Sequence, residues 1–123
     1  MTQPLALIFY ERLMPGSQLV NRLQDLKYRV LAVNNVALLA ATATRELPMV
    51  LIVDLEARGE VTGTIEKIKA DPATSHLPII AFAPDNKADL FEAAQKAGAS
   101  LIIGETTLAS HLPQLLDQAM HVE

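Results

Sequence analysis

Apolar residues in this chain fall into short, nearly unbroken runs separated by amphipathic stretches. Leu5–Tyr10 (LALIFY), Arg29–Val33 (RVLAV), Met49–Val53 (MVLIV), Ile79–Ala83 (IIAFA) and Leu101–Ile103 (LII) are such runs. Runs of this length with β-branched members suit strands buried on both faces, as in a parallel sheet covered by helices. Pro48 and Pro78 stand just before the third and fourth runs, where they push their neighbours toward extended geometry.

The stretches between have helical period. Pro15-Gly16 reads as a break and Ser17 as a helix cap, after which Leu19, Val20, Leu23 and Leu26 form one face to about Lys27. Asn34 and Asn35 are turn or cap residues ahead of an alanine-rich helix over Val36–Leu47. A polar loop, Leu55–Gly63, precedes a helix capped by Thr62 or Thr64, which carries Ile65 and Ile68 and closes near Ala70. Asp85 caps Lys87–Ala97, whose inner stripe is Leu90, Phe91, Ala94 and Ala97, with Gly98 at the C′ position. Ser110 caps a last helix to His121, with Pro113 in its first turn. Five strands alternating with five helices predict a doubly wound α/β sheet with right-handed crossovers, in one domain over residues 1–123.

Composition narrows the function. Half of the 123 residues are hydrophobic but only 4% are aromatic, so the core is aliphatic. The net charge of −4, with Lys and Arg scattered, argues against nucleic acid as a partner. With no cysteine, a disulfide scaffold, a thiolate metal site and a thiol nucleophile are all excluded. The amino terminus lacks a signal-peptide pattern, and no apolar run approaches a bilayer span. The expectation is a cytoplasmic domain with no membrane partner.

One residue stands where such a fold does its chemistry. The third run stops on Asp54, and in open parallel sheets ligands collect beyond the carboxyl ends of the strands. His76, His111 and His121 lack metal-ligand spacing and are expected on the surface. Ser17, Ser100 and Ser110 have no His–Asp arrangement, and Pro15-Gly16-Ser17 is no phosphate loop.

Met49–Asp54 with its following loop, KIKADPATSHLPIIAFAP at 67–84 and KAGASLIIG at 96–104 together resemble the receiver domain of two-component response regulators. The resemblance covers essentially the whole chain. It implies a flavodoxin-like fold with strand order 2-1-3-4-5, phosphoryl transfer to the third-strand aspartate, and an output face on the last helices. It also implies an acidic pair for a divalent cation, a hydroxyl ending the fourth strand and a lysine ending the fifth, since an acyl phosphate needs cationic and hydrogen-bonding support.

Those positions are altered here. The acidic pair falls on Phe9-Tyr10 or Tyr10-Glu11, the hydroxyl on Ala83, the lysine on Glu105 and the fifth-strand aromatic switch on Ile102. The expectation is a degenerate receiver that signals through protein partners, with weak or no phosphorylation at Asp54 and no enzymatic activity. Cofactors are none, or magnesium held weakly by Glu11, Asp54 and the Glu56 carbonyl. Tyr10 is expected to fill the space that metal takes in an active receiver. The contact surface expected from the resemblance is 87–121, serving a protein partner or a homodimer, with no output domain fused after the last helix. One alternative is a phosphorelay receiver phosphorylated on Asp54 by a histidine kinase with an atypical metal site. Another is a small enzyme using the carboxylates, which no second catalytic group supports.

Overall fold

The computed structural model describes residues 4–11, 13–57 and 60–120. Five parallel strands form one sheet: β1 (Leu5–Phe9), β2 (Arg29–Val33), β3 (Val50–Asp54), β4 (Ile79–Ala83) and β5 (Leu101–Gly104). Their order is β2-β1-β3-β4-β5, the doubly wound, flavodoxin-like order expected from the resemblance. The direction of winding reverses between β1 and β3, so the C-terminal ends of these two strands flank the crevice where such folds place ligands.

Strand alternation divides the core into two layers. Leu7, Phe9, Leu51, Val53, Ile79, Ala81 and Ala83 face one side. There they meet Leu39 and Ala43 of α2 (Val36–Glu46), Ile65 and Ile68 of α3 (Val61–Ala70), and Ala94 and Ala97 of α4 (Ala88–Ala97). Ala6, Ile8, Val50, Ile52, Ile80 and Phe82 face the other side. Their partners are Leu19 and Leu23 of α1 (Leu13–Asp25), Leu108 of α5 (Glu105–Ser110), and Leu112, Leu115 and Leu116 of α6 (Leu112–Met120). β3 and β4 are buried at every position, as expected for central strands covered on both faces.

Helix ends show where local signals and tertiary context part. Asn35 caps α2, its side chain accepting the Ala37 N–H at 3.0 Å. Gly98, at φ +103°, ends α4 in the left-handed region, and the N–H groups of Gly98 and Ala99 both bond back to Ala94. Four expected caps are corrected. Thr62 and Thr64 lie inside α3, whose N-cap is Glu60, and the Thr64 hydroxyl bonds back to the Glu60 carbonyl at 2.8 Å. Ser17 lies inside α1, which begins at Leu13 and takes Pro15 and Gly16 into its first turn, where a missing N–H does little harm. Asp85 makes no cap bond to α4, whose N-cap is Lys87. Ser110 is the last residue of α5, and its hydroxyl bonds back to the Thr106 carbonyl at 3.0 Å.

The expected single last helix is therefore two, α5 and α6, separated at His111. Pro113 does fall in the first turn of α6. The expected placement of His121 lies outside the described residues, while His76 and His111 are exposed.

Candidate functional site

Asp54 is the last residue of β3, pairs with Phe82 of β4, and is completely buried. Its parity with Val50 and Ile52 turns its side chain toward the layer of α1, α5 and α6. One carboxylate oxygen, Oδ1, accepts the backbone N–H of Glu56 at 3.0 Å, closing an Asx-type turn at the head of the following loop. Asp54 thus has a structural task, ending β3 and shaping the turn behind it.

The β1 register places the residues of both alternative acidic-pair positions. Phe9 is still in the strand, opposite Val53, and is wholly buried in the layer of α2, α3 and α4. One step further along the same register sets Tyr10 beside Asp54. The Tyr10 ring packs against the first turn of α1, where a Cβ at Gly16 would run into it. Glu11 lines a separate pocket of about 280 Å³ with Tyr10, Ala32, Val33 and Asn34, at the ends of β1 and β2.

The remaining positions lie at the C-terminal ends of β4 and β5. Ala83 is fully buried and carries no hydroxyl. Glu105 follows Gly104 as the first residue of α5, and the Asp85 side chain lies so close over Gly104 that a Cβ there would collide with its carboxylate. The end of β5 is therefore bordered by two acidic residues where the receiver pattern has a lysine. Between the segments that follow β3 and β4, the Lys87 ammonium pairs with the Glu56 carboxylate at 3.5 Å. Sequence reasoning missed that pair, because residues 56 and 87 share no local pattern.

A magnesium site needs several hard oxygen ligands around one point. Among the described residues, no group of three His, Asp or Glu side chains gathers closely enough to hold a metal ion. At the two alternative acidic-pair positions stand a buried phenylalanine, a tyrosine packed on α1, and Glu11. At most one carboxylate, Glu11, stands there, fewer than the acidic pair that the resemblance implies.

On the α4 side of β5 a groove of about 430 Å³ is lined by Phe91, Glu92, Gln95, Ile102, Ile103 and Gly104. It lies inside the 87–121 surface expected to make contacts. Ile102, which replaces the aromatic switch, is half-buried there against the α4 layer.

A scan against protein-family models gives no match, and a search of curated proteins gives none either. Solved structures do match. A response-regulator candidate from Chloroflexus aurantiacus J-10-fl superposes with a TM-score of 0.90 at 18% identity, covering 98% of this chain and 100% of that one. The receiver domain of sensor histidine kinase PA1611 from Pseudomonas aeruginosa PAO1, solved with magnesium coordinated in its active-site cleft, gives 0.88 at 17% identity over 98% and 100%. Chemotaxis response regulator CheY4 of Vibrio cholerae gives 0.84 at 15% identity over 96% and 99%. Identities at this level establish a shared fold. The chain has the doubly wound α/β architecture, and within it the fold of a response-regulator receiver domain.

Proposed function

We propose that this chain is a receiver-like signal-transduction domain that works by protein–protein contact, with Asp54 phosphorylated poorly or not at all. The observation that carries this reading is the surroundings of Asp54. It is fully buried, one oxygen is committed to the Glu56 N–H, and the supporting positions hold Tyr10, Ala83 and Glu105. Each change weakens phosphoryl transfer for its own physical reason. Tyr10 offers a metal a weak ligand in place of a carboxylate, Ala83 cannot hydrogen-bond a phosphoryl oxygen, and Glu105 repels an incoming dianion.

No enzymatic activity is assigned. The partners are proteins of a signalling pathway, a histidine kinase among them, and contact is made through 87–121, where the groove beside β5 is lined by apolar Phe91, Ile102 and Ile103 and by polar Glu92 and Gln95. A homodimer through the same surface fits this reading. No helix of the described residues is long and apolar enough to cross a membrane, in keeping with a cytoplasmic setting.

The test is incubation with magnesium and either a small phosphodonor or beryllofluoride, followed by intact-mass and fluorine NMR measurement. The expected result is no stoichiometric Asp54 adduct, with partner binding that survives Asp54→Ala. A stable one-to-one adduct would sink this reading in favour of a working phosphorelay receiver.

A further inference from the structure

We infer that Glu56 and Lys87 form a relay that carries the state of Asp54 to α4 and the groove beside it. The contacts are continuous. Asp54 Oδ1 accepts the Glu56 N–H at 3.0 Å, and the Glu56 carboxylate holds the Lys87 ammonium at 3.5 Å. Lys87 is the N-cap of α4, and its carbonyl accepts the N–H groups of Leu90 at 3.0 Å and Phe91 at 3.3 Å. Phe91 in turn lines the groove with Glu92, Gln95 and Ile102.

The physical step is local. Neutralising Asp54, or adding a group to it, weakens its hold on the Glu56 N–H and lets the turn after β3 rotate. The Glu56 carboxylate moves with that turn, and Lys87 loses or follows its partner at the foot of α4. Three features make this pair more than an ordinary surface contact. It joins the loops behind two neighbouring strands, β3 and β4. The two side chains are only 26% and 46% exposed, so the attraction is screened less than in open solvent. No side-chain bond caps α4, leaving its first turn free to respond to the position of Lys87. The relay also supplies a route from Asp54 to the groove that uses neither a hydroxyl at Ala83 nor an aromatic ring at Ile102. Coupling of this kind is reciprocal, so a partner seated on α4 changes the environment of Asp54 in return.

The experiment is a charge swap that requires no phosphorylation. Glu56→Lys, Lys87→Glu and the double variant are compared with the natural chain, each with and without Asp54→Asn, by backbone amide chemical shifts. Asp54→Asn is expected to move the Leu90–Gln95 amides in the natural chain and in the double variant, and to move them about two-fold less or weaker still in either single variant. Equal shifts in all four backgrounds overturn the relay, as does an effect confined to the neighbours of position 54 in the natural chain. Should Asp54→Asn impair folding, amide hydrogen exchange in the charge-swap set alone decides. Faster exchange at both Ala57 and Leu90 in the single variants, restored in the double, supports the relay, and any change limited to one of the two loops overturns it. None of these outcomes alters the expected adduct result, so the relay and the receiver reading fail separately.

Discussion

A Cβ at Gly16 would enter the space taken by the Tyr10 ring, so the residue that looks like a chain break is there for close approach. Helix propensity alone makes Gly16→Ala favourable by about 1 kcal/mol, since the position lies within α1. Overpacking against the ring opposes it by about 1–3 kcal/mol, and the ring wins because it is held by its neighbours in the core layer. Gly16→Ala is expected to lower the urea midpoint, and the same change in a Tyr10→Ala background to raise it. A Gly16→Ala variant more stable than the natural chain would mean that the ring is not packed there. The same contact explains a misplaced element. Pro15-Gly16 carries a genuine turn signal, but both residues fit the first turn of a helix, and nothing local announces that an aromatic ring six positions earlier needs the glycine.

At the scale of elements, the strands were legible because burial on both faces writes itself as unbroken apolar runs, and all five runs are strands of the sheet within one residue at either end. The helix caps at Asn35 and Gly98 were legible because each acts on its own neighbours. α5 was not, since six residues with two threonines carry no period long enough to detect, and its single buried anchor, Leu108, is defined by the opposite layer. Asp54 at the end of β3 was readable from sequence, and the Glu56–Lys87 pair across two loops was not.

Two elements also set the alkaline behaviour. On α3, Lys69 donates to the carbonyls of Ser75 at 3.2 Å and Leu77 at 2.8 Å, and burial pulls its pKa below 10.5. At the start of β2, burial and then the Asp117 charge push the Tyr28 hydroxyl above 10.0. For Tyr28 the unfolded chain gives up its proton first, so its contribution is full below 10.0 and is lost as pH rises through the folded value. For Lys69 the unfolded chain binds the proton more tightly, so its contribution is full above 10.5 and is lost as pH falls through the folded value. The two oppose each other near pH 10. Tyr28→Phe is expected to leave the Lys69 rise exposed, so that stability measured by urea midpoint falls less steeply with alkali than in the natural chain. Lys69→Met is expected to steepen the fall. Both groups keep part of their surface in solvent, so the slopes are small and identical slopes in all three proteins would contradict the assignment.

For the molecule as a whole, the question is whether the receiver fold around Asp54 is closed by chemistry or by shape. The fold superposes on receiver structures over nearly its full length, so the backbone framework is shared. On the proposed reading, the difference lies in the side chains at three strand ends. Tyr10→Asp would put an oxygen ligand beside Asp54, Ala83→Thr would restore a hydroxyl, and Glu105→Lys would turn repulsion of a dianion into attraction, a change on the order of a few kcal/mol in a partly screened cleft. If chemistry alone closes the site, the triple variant takes up beryllofluoride in the presence of magnesium while the natural chain does not, and Glu105→Lys by itself gives an intermediate signal. The cost falls on packing, because removing the Tyr10 ring empties the space above Gly16, and a thermal melt must show that the variant remains folded. A folded triple variant that still refuses the adduct would place the block in shape: Asp54 at zero exposure beneath the Glu56 turn, with the relay to Lys87 holding that turn shut. Adding Glu56→Gln to the triple variant separates the two cases, since it releases Lys87 without touching the three restored groups. Uptake that appears only after that fourth change would make the loop pair the gate.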